Sequence, residues 1–257
     1  MNRAAKAQWI LCAAALFGAA NNAQAQQARV AVAEFLKPYA NVLLEVMREA
    51  GFTPKVDYYP AERAFRLLQS GQVDLDFGRQ AESVEDFKSQ VRLIGPIGCV
   101  EVVAFVDRRR PLSVKTASDL KGRQVVAILG TKMSLRYLDD AGIKYSTVAI
   151  RENAYRMLEL GRADVVIDIS LSGLPVIKAL RADQHLQIEG PVLATRPGYL
   201  VLRHHLDDWG PRLQTVYEAA WRSGKLLTLL ASVNTSLGLP PGVGTSCLKD
   251  DNLLPKR

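Results

Sequence analysis

Gly130-Thr131-Lys132 is the segment whose residue types and position best fit a binding chemistry. It ends the strand-like run at 123–130 and opens a helical pattern at 132–142. Backbone N–H groups and a hydroxyl at a helix N-terminus, with the positive end of the helix dipole behind them, are suited to holding a carboxylate. An ordinary helix N-cap uses the same residue types, with Thr131 as the capping residue.

Residues that could catalyse a reaction are scarce. His185, His204 and His205 stand apart from acids at useful spacing, and adjacent histidines do not share a helical face. Ser-Leu-Ser-Gly at 170–173 resembles a nucleophile elbow but lacks the glycine two residues before the serine. The cysteines and scattered histidines do not have the spacing of a metal site. We therefore expect a protein that is not an enzyme and has no metal and no cofactor.

The N-terminal stretch Met1–Ala25 has the three-part form of a secretory signal. Arg3 and Lys6 make the positive start, 10–20 is an apolar run, and Ala-Gln-Ala at 23–25 is a small-residue cleavage site. The apolar run falls well short of the roughly 20 residues that span a bilayer. The sequence therefore predicts a cleaved signal peptide and a secreted mature chain.

The mature chain would begin at Gln26, and its charge follows from the full sequence. The formal net charge of +7 falls to about +5, because the signal carries two basic residues and no acid. These charges are spread along the chain, and the one basic run, Asp-Arg-Arg-Arg-Pro at 107–111, is more typical of a solvated face than of a nucleic-acid patch. We expect no nucleic-acid partner.

Loss of the signal leaves two cysteines, Cys99 and Cys247. An even pair in an oxidising compartment favours one disulfide, which would join the C-terminal tail to the middle of the chain. The alternative is two separate buried thiols, because spacing alone does not bring two alpha carbons within about 7 Å.

The chain contains an internal repeat. AFRLLQSGQVDL at 64–75 recurs as AYRMLELGRADV at 154–165, ninety residues later. Each copy closes a βαβαβ pattern, with preceding strands and helices predicted at 28–33, 40–51 and 54–59 in the first series and at 123–130, 132–142 and 145–150 in the second. The pattern predicts two similar α/β lobes.

The residues shared by the two copies have a structural explanation. Gly71 and Gly161 can take the left-handed conformation that ends a helix, and Asp74 and Asp164 can cap or turn the entry to the next strand. Because ligands of open parallel sheets sit outside the carboxyl ends of the strands, two facing lobes would present both ends to one cleft.

Two strand-like runs are suited to joining the lobes, one at 100–107 and one at 198–203. The helical segments that follow residue 203 have no partner in the second lobe and are expected to pack on the first. We therefore predict a first lobe made of 26–104 and 203–257 and a second lobe made of 105–202.

The sequence resembles the periplasmic solute-binding proteins of ABC importers for polar amino acids, family 3 of the bacterial extracellular solute-binding proteins. The resemblance rests on the two crossover strands and on RAFRLLQSGQVDL, SDLKGRQVVAILGT and LELGRADVVID, at 63–75, 118–131 and 158–168. It implies a type II two-lobed α/β fold with two hinge strands. It also implies a monomeric protein of the periplasm that closes on a small polar solute and delivers it to an inner-membrane ABC permease.

The resemblance also implies where a ligand carboxylate would bind. The family holds it at the position of Gly130, Thr131 and Lys132, and members that bind α-amino acids add an arginine where this chain has Phe87. Arg79, just past the predicted strand, is the first substitute, unless it forms a surface ion pair with Glu82 or Glu85. Arg63, at the start of a helix, is a second substitute.

The amine-binding aspartate of the family is also displaced. It commonly falls five residues after the repeat aspartate, whereas Asp168 falls four after Asp164. One residue reverses the face of a side chain along a strand, so Asp168 faces the cleft only if the strand end is irregular. Ser170 is then a substitute or a partner. Phe35 and Tyr39, in a shortened loop, are an aromatic wall of the cleft or members of the core.

Two other functions share this fold. A sensory module would bind a solute by the same chemistry but signal to a membrane receptor, and a few relatives are dehydratases. The departures at Phe87 and Asp168 also make a standard α-amino acid a weaker expectation for the ligand than the family name implies.

Overall fold

The computed structural model describes residues 26–206 and 208–249. The predicted signal peptide lies outside the described residues. Within them, no helix combines the length and apolar character that a membrane crossing requires.

One mixed sheet of eight strands runs through the molecule in the order β2-β1-β3-β8-β4-β7-β5-β6. Each end of the sheet is parallel: β1 lies between β2 and β3, and β5 lies between β6 and β7. The strands are β1 (Gln26–Ala33), β2 (Phe52–Tyr59), β3 (Leu75–Arg79), β4 (Val91–Asp107), β5 (Val125–Ile128), β6 (Tyr145–Val148), β7 (Val165–Ile169) and β8 (Leu186–Arg203).

Helices cover both parallel halves of the sheet. The α-helices are α1 (Ala40–Glu49), α2 (Ala61–Gln69), α3 (Lys132–Asp140), α4 (Arg151–Glu159), α5 (Ser170–Ala179), α6 (Trp209–Arg222) and α7 (Lys225–Ser236). Short 3-10 helices lie at Glu34–Tyr39, Ala81–Gln90, Ala117–Leu120, His204–Leu206 and Ser246–Lys249.

The two central strands, β4 and β8, join the halves as a long antiparallel pair. Their register runs from Val91 opposite Arg203 to Asp107 opposite Leu186 and shifts between Ile94 and Gly98 and again between Val102 and Ala104. Both strands are far longer than the crossover runs predicted from the sequence. The prediction was short because glycines and prolines in a sequence usually signal turns, whereas here they are accommodated within the strands at register shifts. The molecule is a two-lobed periplasmic-binding-protein-like α/β fold with two hinge strands.

Each lobe has its own apolar core. The core beside β1 to β3 includes residues of α6 and α7, among them Trp209, Leu213 and Leu230. The core beside β5 to β7 includes Leu239 and Val243, which follow α7. The C-terminal segment thus contributes to the cores of both lobes. The division into a first lobe of 26–104 and 203–257 and a second lobe of 105–202 stays a prediction.

The repeated residues have equivalent positions in the two lobes. Gly71 and Gly161 have φ angles of 75° and 68° and follow the ends of α2 and α4. Asp74 accepts a 2.8 Å hydrogen bond from the N–H of Arg29 on β1. Asp164 accepts a 2.8 Å hydrogen bond from the N–H of Gln124, directly before β5. Each aspartate therefore ties its own strand to the parallel neighbour, a longer-range contact than the local cap that the sequence predicts.

An arginine at or just past the end of each hinge strand caps the repeated helix. At the end of β8, Arg203 donates through Nη1 to the carbonyls of Leu68 and Gln69, at 2.6 and 2.8 Å. Just past β4, Arg110 donates to the carbonyls of Leu158 and Glu159. These arginines satisfy carbonyls that the last turn of a helix leaves open.

The C-terminal tail is fastened to the hinge strand β4. Cys99 and Cys247 form the predicted disulfide, with alpha carbons 5.8 Å apart. Next to it, the buried carboxylate of Glu101 accepts hydrogen bonds from the N–H groups of Gly244 and Ser246 at 2.9 and 3.0 Å.

Candidate functional site

A cavity of about 670 Å³ lies between the two lobes. Its walls come from segments that follow β1, β3, β5, β6 and β7, that is, from the carboxyl ends of the parallel strands of both lobes. We call this cavity the cleft. Six of the nine residues proposed from the sequence line it: Phe35, Tyr39, Arg79, Gly130, Thr131 and Lys132. The other three, Arg63, Asp168 and Ser170, do not.

The Gly130-Thr131-Lys132 turn presents positive charge to the cleft, but its hydrogen-bond donors at Thr131 and at the N–H of Lys132 are already used within the turn. The N–H groups of Thr131 and Lys132 donate to the carbonyls of Ile128 and Gly130 at 3.1 and 2.9 Å. The Thr131 hydroxyl also donates to the Ile128 carbonyl and makes no cap to α3. What this turn offers an anion is the positive N-terminal end of α3 and the exposed ammonium of Lys132, which has no ion pair with any described residue.

Arg79 lines the cleft, and its guanidinium is held by contacts with the first lobe. Its Nε lies 2.7 Å from a carboxylate oxygen of Asp76, and its Nη2 donates to the carbonyl of Ala61. The guanidinium also lies over the ring of Phe65, 5.1 Å from the centroid. The partner of Arg79 is thus a buried acid on its own strand.

Burial raises the pKa of Asp76 to about 6, although Arg79 partly opposes this shift. The side chain of Asp76 is fully buried, and its second oxygen has no hydrogen-bond partner in the described part of the chain. A carboxylate held so far from water is costly to ionise.

Phe87, at the position where the resemblance places an arginine, belongs to the core of the first lobe. Its side chain is buried and packs edge-on against Phe65 at a centroid distance of 6.4 Å. This position therefore makes no contribution to the cleft.

The remaining first-lobe candidates differ in their surroundings. Arg63 is exposed and lies over the ring of Tyr59 outside the cleft. Phe35 lines the cleft with 49% of its surface exposed. Tyr39 lines the cleft but is otherwise buried, and its hydroxyl lies 2.6 Å from Oδ1 of Asn234. Burial raises the pKa of Tyr39 to about 12.

Asp168 faces away from the cleft. It is fully buried and accepts hydrogen bonds from Nε of Arg151 at 2.8 Å and from the hydroxyl of Tyr155 at 2.9 Å. The next residue, Ile169, lines the cleft instead. The strand is regular up to this point, so the displacement by one residue reverses the side chain's face. Ser170 is buried as well and donates to Glu101 at 3.0 Å.

Sequence reasoning missed Arg151, the first residue of α4. Its side chain is 26% exposed and lines the cleft. The signal was present, because Arg151 follows the strand β6 and opens a helix, as Lys132 does after β5. Five further polar residues of the cleft were also missed: Glu62, Gln80, Ser83, Glu152 and Ser172.

The cleft combines positive charge with apolar surface. Three cations line it, Arg79, Lys132 and Arg151. The acids that line it, Glu62 and Glu152, are both exposed. Large apolar side chains are also open to solvent there, with Leu129 and Ile150 exposed by 61% and 57%. Among the described residues no group of three or more His, Cys, Asp or Glu could hold a metal ion.

No protein-family model matches the sequence, and a search of curated proteins finds no match. Similar solved structures include a mutant of ArgBP from T. maritima, with 20% identity, a TM-score of 0.61 and coverage of 81% of this chain and 95% of that one. A histidine kinase sensor domain with similarity to periplasmic binding proteins has 19% identity, a TM-score of 0.63 and coverage of 81% and 96%. The GluR0 ligand-binding core from Nostoc punctiforme in complex with L-glutamate has 18% identity, a TM-score of 0.60 and coverage of 80% and 98%. These similarities show that the chain shares the two-lobed fold.

Proposed function

We propose that this protein is a periplasmic solute-binding protein of family 3 that captures a small carboxylate-bearing solute in the cleft. The observation that supports this most is the set of three cations at the carboxyl ends of strands from both lobes: Arg79 from the first and Lys132 and Arg151 from the second. A ligand that contacts both lobes stabilises the closed arrangement over the open one.

Delivery of the solute to an ABC-type permease is the second part of the proposal. It is supported by the predicted secretory signal and by the likeness to ArgBP. A sensory role is the competing function, favoured by the likeness to a histidine kinase sensor domain. Uptake of a labelled ligand by cells with and without this chain separates the two: loss of uptake supports transport, and unchanged uptake with a lost transcriptional response supports sensing.

A thermal-shift screen of amino acids, opines, dicarboxylates, monocarboxylates and polyamines tests solute binding. A ligand at about a hundred times its dissociation constant adds about 2.7 kcal/mol to stability, which raises the melting temperature by roughly 5 °C or more for a chain of this size. Small-angle scattering with the hit should show a smaller radius of gyration than the free protein. A screen without any hit would contradict solute binding, and a turnover assay on each hit tests whether the chain is an enzyme.

Three single variants test the cleft. Arg79→Ala should weaken binding of the hit at least tenfold, whereas Arg63→Ala, which removes an exposed arginine outside the cleft, should leave the affinity unchanged. Thr131→Ala should weaken binding less, because the Thr131 hydroxyl already donates to the Ile128 carbonyl. Equal affinities of the Arg79 and Arg63 variants would exclude Arg79 from the site.

A further inference from the structure

Arg151 lies where two cavities meet. It lines the cleft and also a second cavity of about 570 Å³, which continues between the Glu34–Tyr39 helix of the first lobe and α5 of the second. The two cavities share five more residues: Phe35, Tyr39, Leu171, Ser172 and Val176. A solute held at Arg151 could therefore extend into either cavity. Most of the residues that the two cavities share are apolar.

The guanidinium of Arg151 has one edge occupied and one edge open. Its Nε donates to Oδ2 of Asp168 at 2.8 Å, and its Nη2 lies 3.4 Å from Oδ1. Its Nη1 makes no hydrogen bond with any described residue. The Nη1 and Nη2 edge can thus grip a carboxylate through two parallel hydrogen bonds while Asp168 fixes the plane of the group.

Asp168 cannot take an ammonium group in this arrangement. Its two oxygens already accept hydrogen bonds from Arg151, from the Tyr155 hydroxyl and from the N–H of Ile169. It is fully buried, and the apolar side chain of Ile169 stands at the cleft in its place. The acids that line the cleft, Glu62 and Glu152, are exposed, so solvent weakens their attraction for a cation.

We propose that the cleft selects an organic acid with an apolar body over a zwitterionic amino acid, and that Arg151 binds its carboxylate. This inference rests on the proposed function and names the class of solute. The exposed apolar side chains of Phe35, Leu129 and Ile150 contact the body of the acid. The absence of a buried, unpaired acid among the described cleft residues leaves the ammonium of an amino acid without a partner, so its desolvation is not compensated.

Matched sets of compounds test this selectivity by calorimetry and thermal shift. One set is 3-phenylpropanoate, L-phenylalanine and 3-phenylpropanamide, and a second is hexanoate, L-norleucine and hexanamide. Within a set the acid should bind at least tenfold more tightly than the amino acid and the amide. Amino acids that bind as tightly as their acids, or acids that do not bind at all, would overturn the inference.

The variant Arg151→Leu should remove the preference for the acid, so that acid and amide bind equally. Because this change leaves Asp168 unpaired, the double variant Arg151→Leu with Asp168→Asn repeats the test without a lone buried charge. Arg156→Leu, an exposed arginine on the same helix, is the control and should keep the preference. A preference retained in the double variant would exclude Arg151 as the carboxylate ligand.

The inference and the proposed function fail in different ways. If amino acids, opines or polyamines bind while the monocarboxylates do not, the solute class is wrong and solute binding stands. If no compound of any class binds or compacts the protein, solute binding itself is contradicted.

Discussion

Asp74 and Asp164, ninety residues apart, make the same hydrogen bond in two different lobes. Asp74 accepts a hydrogen bond from the N–H of Arg29 within β1, and Asp164 accepts one from the N–H of Gln124 directly before β5, both at 2.8 Å. Each aspartate donates its own N–H back to the carbonyl of the same residue, at 2.8 and 2.9 Å. The repeat is therefore a duplicated scaffold, and the differences in binding chemistry lie in the residues just past it.

The two aspartates should differ in their contribution to stability. Asp74 is buried and also holds the guanidinium of Arg29, whereas Asp164 is exposed. We expect Asp74→Ala to cost about 2 kcal/mol of unfolding free energy and Asp164→Ala about 1 kcal/mol or less. Urea unfolding measures both, and a larger loss at Asp164 would contradict this ranking.

Asp76 should make stability fall as the pH rises. The pKa of Asp76 is about 6 in the folded protein against 3.8 for an ordinary aspartate, so between these pH values the folded state holds a proton that the unfolded state releases. The stabilisation that comes from the raised pKa of Asp76 is fully present below about pH 4 and is lost as the pH rises through about 6. Asp76→Asn cannot ionise, so its stability relative to the parent should rise by about 2 to 3 kcal/mol between pH 4 and pH 7.

Unfolding in urea at a series of pH values measures this difference. The exposed Asp86 provides the control, since Asp86→Asn should track the parent far more closely. A parallel pH profile of Asp76→Asn and the parent would show that Asp76 ionises normally.

The ion pair of Arg151 and Asp168 should contribute to the free energy of unfolding. Arg151→Leu leaves a fully buried carboxylate without its cation, which costs about 3 kcal/mol. The further change Asp168→Asn should restore most of the loss, because a neutral amide needs no counter-charge. Chemical unfolding of the single and double variants measures this coupling, and additive losses would show that the two side chains are independent.

The disulfide should contribute strongly to stability because it closes a long loop. Cys99 and Cys247 are separated by 148 residues, and cross-links of such loops stabilise by about 3 to 5 kcal/mol in the chain-entropy description. The variant with both cysteines changed to alanine should lose this amount in urea unfolding. Dithiothreitol should destabilise the parent but not the variant. A parent whose unfolding does not respond to reductant would contradict the proposed stabilisation by the disulfide.

The sequence by itself determined the local architecture and the duplication. Hydrophobic periods and helix-ending glycines are properties of short segments, so α1, α3 and the Gly71 and Gly161 turns were predicted with small errors at their ends. Asp168 was proposed as a ligand-binding residue on the condition that the strand end is irregular. The strand is regular at this point, so Asp168 faces away from the cleft and that proposal was wrong.

The tertiary structure decided which side chains share the cleft and which hold one another. Arg151 and Asp168 are 17 residues apart, and nothing local in the chain pairs them. Their contact arises because β6 and β7 end at the same edge of the lobe on either side of β5, which brings the start of α4 over the buried end of β7. Asp76 and Arg79 lie three residues apart on β3 and would face opposite sides of a regular strand. The register between β3 and β8 shifts between Phe77 and Arg79, and with this irregularity the two side chains form an ion pair.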